Sequence, residues 1–199
     1  MPRPRSIPED VAVERALLLF WEHGYDRTSI ADLSEAIGLG PSSIYNAFGS
    51  KEELFRQAIG RYVGTYAAPT MQLLASDGNE DAVAFIRQVM RGLTKLYTTE
   101  GLPSGCAIFQ SGGSGSPSDS HACAITQEIN GGLESALRGH FRAFAERGEE
   151  LSATPRTLAQ FVVATLRGIS QLASDGASRA ELMKVADHAS SSCVIEATA

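Results

Sequence analysis

Four residues within a five-residue stretch carry the most pointed chemistry of this chain. Ser42, Ser43, Tyr45 and Asn46 each offer hydrogen bonds, and Ile44 and Phe48 supply apolar anchors among them. That mixture suits a duplex nucleic acid. The Asn46 carboxamide can read an adenine edge through two hydrogen bonds. The Ser42 and Ser43 hydroxyls suit a base or a phosphate, and the long reach of Tyr45 suits a phosphate. Upstream, Thr28 and Ser29 stand where a helix N-terminus offers hydroxyl, N–H and dipole to an anion. Lys51 downstream suits a flanking phosphate. Arg3 and Arg5 form a short arm, either laid against a groove or disordered.

These side chains need a frame, and the punctuation supplies one. Thr28 is read as the cap of a helix with Ile30, Leu33, Ala36 and Ile37 at helical spacing, stopped by Gly38. Gly40 and Pro41 suit the N-cap and first turn of a second short helix, closed by Gly49. Leu39 in the turn between them is expected to point inward. Pro41 is expected to leave the N–H groups of Ser42 and Ser43 facing a phosphate. That is the grammar of a helix-turn-helix. Ser6-Ile-Pro-Glu9 reads as a capping box opening an earlier helix with Val13, Ala16, Leu17, Phe20 and Trp21 on one side, ended by Gly24. Ser50 to Glu53 reads as a second box, opening a helix that runs through Leu54, Phe55, Ala58, Ile59, Tyr62, Val63 and Tyr66 until Pro69 bends or ends it.

Further helices are expected near 80–98, 120–147, 155–174 and 178–195. A short apolar piece runs from Cys106 to Phe109, and the Gly/Ser-rich tract at 111–120 reads as a mobile loop. No segment alternates with period two. The fold class is all-α, with a three-helix helix-turn-helix domain at 1–49 and a helical domain at 50–199.

Bulk properties set limits. Of 199 residues, 43% are hydrophobic and 20% charged, the balance of an ordinary globular protein. No apolar run is long enough to span a membrane, and Met-Pro-Arg-Pro-Arg is no secretory signal. Cys106, Cys123 and Cys193 form neither a disulfide framework nor a zinc spacing, so a cytoplasmic location without metal or cofactor is expected. The net charge of −6 argues against a basic DNA-binding surface. Residues 1–57 carry six Lys/Arg against nine Asp/Glu. Phosphate neutralisation supplies most non-specific affinity, so DNA recognition here must rest on hydroxyls, helix N-termini and a few placed cations.

The stretch from Thr28-Ser-Ile-Ala-Asp-Leu33 through Gly38-Leu-Gly-Pro-Ser-Ser-Ile-Tyr-Asn-Ala-Phe-Gly-Ser-Lys-Glu-Glu-Leu54 resembles the signature of the tetracycline-repressor (TetR) family of bacterial transcriptional regulators. The likeness reaches back to Phe20-Trp-Glu-His-Gly-Tyr25 and covers about residues 8–60. Gly105-Cys-Ala-Ile108 resembles a short motif in one subgroup of the family's ligand domains. The resemblance implies a homodimer that binds a palindromic double-stranded DNA operator. It implies repression relieved when a small-molecule effector enters a C-terminal ligand-binding and dimerisation domain. It places DNA contacts at Thr28, Ser42, Ser43, Tyr45, Asn46 and Lys51. Two departures stand out. Gly40 replaces a frequent Ser or Thr cap, and Ala47 replaces a larger polar residue, leaving at most contact with a thymine methyl.

For the effector, the expected lining is Tyr62, Tyr66, Phe85, Met90, Leu93, Tyr97, Cys106, Phe109 and Phe141, apolar and aromatic with few charges. For the dimer, two small-residue stripes are expected to meet their symmetry mates: Ala159, Val162, Val163, Leu166 and Ile169, then Leu182, Met183, Ala186 and Ala189. Alternatively, such stripes pack into their own monomer. Catalysis is not expected. Gly112 to Ser116 falls one residue short of a nucleophile elbow, and the four histidines lack ligand spacing. Two other readings remain: a helical small-molecule-binding module without working DNA recognition, and a regulator sensing oxidation through Cys106 or Cys123.

Overall fold

The computed structural model describes residues 7–76, 80–111 and 121–195. These form ten α-helices: α1 (Glu9–His23), α2 (Ile30–Ile37), α3 (Pro41–Phe48), α4 (Lys51–Arg61), α5 (Ala68–Leu74), α6 (Ala82–Tyr97), α7 (Ala107–Ser111), α8 (His121–Glu146), α9 (Pro155–Ser174) and α10 (Arg179–Ser191). A π-helical turn, Tyr62–Tyr66, follows α4. The Arg3/Arg5 arm, Ser6 and the Gly/Ser tract from Gly112 to Ser120 lie outside the described residues. The chain divides into two compact units, Met1–Tyr66 with Ala107–Gln127, and Ala67–Cys106 with Glu128–Ala199.

The boundary expected after residue 49 therefore falls further along. The reason is packing. Leu54, Phe55, Ala58 and Ile59 of α4 are fully buried, as are Ala16, Leu17, Phe20 and Trp21 of α1. The Phe20 and Phe55 rings meet edge to face with centroids 5.1 Å apart, and Trp21 meets Tyr62 in the same way at 4.8 Å. Burying each such side chain stabilises the fold by about 1.5–3 kcal/mol, so α4 is held to α1 rather than beginning a new domain. Glu14 accepts hydrogen bonds from Arg61 and from the Tyr66 hydroxyl at the far end of that contact. Burial and the Glu14 contact raise the Tyr66 pKa to about 12.

Local signals mostly land as the sequence suggests, with three corrections. Pro8, not Ser6, is the N-cap of α1, and no side chain caps that end. Ser29, not Thr28, caps α2. Leu39 is only half-buried, and the tight turn is held instead by a Ser34 hydroxyl bond to the Leu39 carbonyl and by left-handed Gly38, φ 80°. Arg15 adds a further clasp, donating to the Ile37 carbonyl at 3.0 Å.

In the second unit, α6 buries Phe85, Ile86, Val89, Met90, Leu93 and Tyr97. α9 buries Leu158, Ala159, Val162, Val163, Leu166 and Ile169, and α10 buries Leu182, Ala186 and Ala189. α6, α9 and α10 pack on one another. His140 lies against Phe85, ring centroids 4.2 Å apart, and its Nε2 is 2.9 Å from the Leu74 carbonyl. α10 stops at Ser191, short of the expected 195, because Val194 pairs with Leu151 in an isolated bridge.

This core takes up most of the expected dimer stripes. Ala159, Val162, Val163, Leu166, Ile169, Leu182, Ala186 and Ala189 are all buried within the monomer, and Met183 is half-buried. The large apolar residues left outside on these helices are Phe161 (40% exposed), Leu172 (45%) and Val185 (40%).

Candidate nucleic-acid interface

The first unit places α2 and α3 across the turn 38–40 and presents the outer side of α3 to solvent. Ile44 and Phe48 are buried and anchor α3, whereas Ser42, Ser43, Asn46 and Ala47 are exposed and Tyr45 is 48% exposed. Every polar residue that the sequence assigns to base reading therefore faces outward on one short helix. Gly40 caps α3 without a side-chain hydrogen bond, and Pro41 occupies its first turn. The Ser43 N–H turns back to the Gly40 carbonyl at 2.9 Å. Of the two amides expected to face a phosphate, that of Ser42 is the one left for the task.

The start of α2 is arranged differently. The Ser29 hydroxyl accepts from the Asp32 N–H at 3.1 Å, and the Asp32 carboxylate accepts from the Ser29 N–H at 2.7 Å. Those bonds from Ser29 hold the Asp32 pKa below the usual carboxylate range. Thr28 is buried at 1% exposure, and its hydroxyl donates to the Gly24 carbonyl at 2.7 Å. A hydroxyl spent inside a turn cannot reach a phosphate, so Thr28 drops out as a side-chain contact. Ser29 remains exposed. Lys51 is half-buried, with its Nζ 2.7 Å from the Tyr25 carbonyl and 4.0 Å from the centre of the Tyr25 ring.

Charge is sparse around this surface. A groove of about 670 Å³ between α1 and α2 is lined by Leu19, Glu22, His23, Arg27, Asp32, Glu35 and Ala36, more acidic than basic.

The expected effector lining is not gathered within one unit. Tyr62, Tyr66 and Phe109 belong to the first, and Phe85, Met90, Leu93, Tyr97, Cys106 and Phe141 to the second. In the second unit these six are buried. Burial, and then contact with Cys106, raises the Tyr97 phenol pKa well above its ordinary value. Cys193 is buried too, which pushes its thiol up to about 11 and keeps it unreactive near neutral pH. Among the described residues no cluster of three or more His, Cys, Asp or Glu could hold a metal, and no helix is long and apolar enough to cross a membrane.

An outward, polar α3 braced by α2 and α4 defines a helix-turn-helix DNA-binding protein. A family model described as "Bacterial regulatory proteins, tetR family" matches residues 12–58. The chain is 30% identical over 186 residues to the HTH-type transcriptional repressor ComR of Escherichia coli K12, covering 92% of this chain and 88% of that protein. The repressor BdcR of the same organism is 32% identical over 108 residues, 54% of each chain. Among solved structures, a cysteine mutant of the TetR family regulator CifR complexed with 26-bp double-strand operator DNA superposes with a TM-score of 0.85, at 30% identity over 95% of this chain and 98% of that one. The chain belongs to the TetR family, whose members here are transcriptional regulators and not enzymes.

Proposed function

We propose that this protein is a homodimeric repressor that binds a palindromic operator through α3 and releases it when a small, mainly apolar or aromatic effector enters the second unit. The observation that carries the DNA half is the outward row Ser42, Ser43, Tyr45 and Asn46 on a helix anchored by Ile44 and Phe48. A two-fold operator needs two such helices about 34–36 Å apart, which motivates the dimer. The face we assign to it is the outer side of α9 and α10. Phe161, Ala164, Gly168 and Leu172 recur there at helical spacing, all exposed, with Val185 on α10. A Cβ added at Gly168 would meet nothing within 4 Å, so a partner helix has room to approach.

The effector half rests on the interior of the second unit. Phe85, Met90, Leu93 and Phe141 supply apolar surface, and Tyr97 and Cys106 are the polar groups beside them, the usual make-up of a small-molecule site. The test is a mobility shift on the DNA upstream of the protein's own gene. Wild type is expected to shift it, and Tyr45→Ala and Asn46→Ala to shift it weakly. Leu172→Glu is expected to sediment as a monomer and to bind far more weakly. A wild type that shifts nothing would leave a helical small-molecule-binding module.

A further inference from the structure

The link between α2, the supporting helix, and α3, the reading helix, has few fastenings of its own. Gly38, Leu39 and Gly40 are all that separate the two. The Gly38 N–H donates to the Ser34 carbonyl at 2.9 Å, and the Ser34 hydroxyl bonds to the Leu39 carbonyl. Gly40, the cap of α3, brings no side chain to hold the turn. The last carbonyls of a helix lack intrahelical partners and carry the negative end of its dipole. A basic residue in the last turn commonly answers both needs. The sequence of α2, Ile-Ala-Asp-Leu-Ser-Glu-Ala-Ile, contains none.

Arg15 supplies that cation from another helix. Its Nη1 donates to the Ile37 carbonyl at 3.0 Å and lies 3.5 Å from that of Ala36, across 22 and 21 residues of chain. The same nitrogen and the Ile7 side chain close the space over Gly38, where an added Cβ would meet them at 3.9 and 3.4 Å. The base of the clasp is firm. Ala12 and Ala16, beside Arg15 on α1, are buried, and α1 packs on α4 through Phe20 and Phe55. The guanidinium therefore couples the end of α2 to a helix fixed in the core. We propose that Arg15 is a positioning residue for DNA reading: it sets the 38–40 turn, and through it α3, and so governs discrimination between operator and other DNA. This rests on the DNA-binding reading above. Hydrogen bonds to base edges are short and directional, whereas attraction to phosphates is indifferent to sequence. A displaced α3 therefore loses discrimination first.

The experiment compares wild type with Arg15→Met, which keeps an unbranched stem and loses the donors, both as full chains. Fluorescence anisotropy over a series of KCl concentrations measures binding to the DNA upstream of the protein's own gene. A scrambled duplex of equal length is measured beside it. Amide hydrogen exchange follows the DNA-free proteins. Arg15→Met is expected to lose on the order of tenfold in affinity for the upstream DNA, the worth of one two-bond base contact. Its affinity for the scrambled duplex is expected to hold. Its Gly38 amide is expected to exchange faster, while the Asp32 amide at the other end of α2 holds. Arg15→Lys, which keeps a charged donor, is expected to recover part of both losses. A lower melting midpoint with an unchanged ratio of the two affinities would leave Arg15 a role in stability alone and overturn the proposal. Equal losses on both duplexes, with the slope of log K against log salt flattened by about 0.9, would make it a phosphate contact instead. An unchanged Gly38 amide would also overturn the proposal. If Arg15→Met does not fold, the affinity ratio and Gly38 amide of Arg15→Lys decide. If wild type does not distinguish the two duplexes, the DNA-binding reading has failed and this role with it. The Gly38 amide then still reports whether the clasp holds α2.

Discussion

The N-termini of α2 and α3 lie 11 residues apart in the chain and are finished in opposite ways. At α2 the donors and acceptors of Ser29 and Asp32 satisfy each other, and Thr28 is sealed inside the preceding turn. At α3 a glycine stands at the cap, a proline follows, and Ser42, Ser43 and Asn46 point outward. A closed helix end holds a scaffold, because each satisfied group resists fraying. An open end exposes groups that a ligand can satisfy. The difference separates the helix that supports from the helix that reads, in a protein whose charge offers little help with DNA.

The largest expected effect comes from breaking the open side. Asn46→Ala removes a carboxamide capable of a two-bond contact, worth about 1–3 kcal/mol of discrimination, or roughly 5- to 150-fold in affinity. The loss should concentrate at one A·T pair of each half-site, and the thermal midpoint should stay at the wild-type value because Asn46 is exposed. Binding to a panel of single-base operator variants checks this. A uniform loss across the panel would mean that Asn46 holds backbone, not base.

Much of this contrast was legible in the residues. The four hydroxyl and amide groups of α3, the two anchors and the Gly-Pro entry fix its outward face by spacing alone. The cap of α2 lies one position beyond Thr28, at Ser29, and Ser29-Ile-Ala-Asp32 carries the box signature. Thr28 is also a good cap, and only the tertiary turn, which offers it the Gly24 carbonyl, decides between them. For the stripes of α9 and α10 the limit of spacing is a different one. α9 has two apolar stripes, and periodicity says which residues share a side but not which side the monomer needs. The broader stripe, Ala159 to Ile169, is consumed by packing in the second unit. The sparser one, Phe161 to Leu172, is left outside. Nor does spacing show that Tyr62 and Tyr66 fold back onto Trp21.

Breaking the closed side should cost stability before it costs recognition. Ser29→Ala removes a cap worth about 1 kcal/mol, seen as a lower midpoint in thermal or urea unfolding. DNA affinity should fall no more than a few-fold, since the reading helix keeps its anchors. A loss matching that of Asn46→Ala would show that Ser29 itself touches DNA.

The same box predicts an acid limb. The Asp32 pKa is lowered by its bonds to Ser29, and that of Glu181 by the equivalent bonds to Ser178 at α10. A depressed carboxylate contributes stability that is fully present above its unfolded value, near 4, and is lost as pH falls through the folded value. Both boxes should therefore hold from neutrality down to about pH 4 and open below it. Carboxyl NMR titration should show both groups below the ordinary range. Ser29→Ala should return Asp32 toward it and leave Glu181 unmoved.

The smallest effect is the sharpest probe of the comparison, because it makes the open end resemble the closed one. Gly40 has φ −65° and ψ 154°, a conformation that any residue adopts, and an added Cβ would meet nothing within 4 Å. Glycine is therefore not required there by backbone or by space. In Gly40→Ser the new hydroxyl can accept from the Ser43 N–H, which now turns back to the Gly40 carbonyl. Serine exceeds glycine at a cap by only a few tenths of a kcal/mol, so the melting midpoint should rise by about a degree or two. The Ser42 amide stays open in this variant, so affinity should hold or improve as a hydroxyl joins the phosphate side. If Gly40→Ser binds DNA markedly worse while melting higher, the gap at Gly40 is itself part of the fit to the operator, and α3 is open there because the DNA backbone comes too close for a side chain.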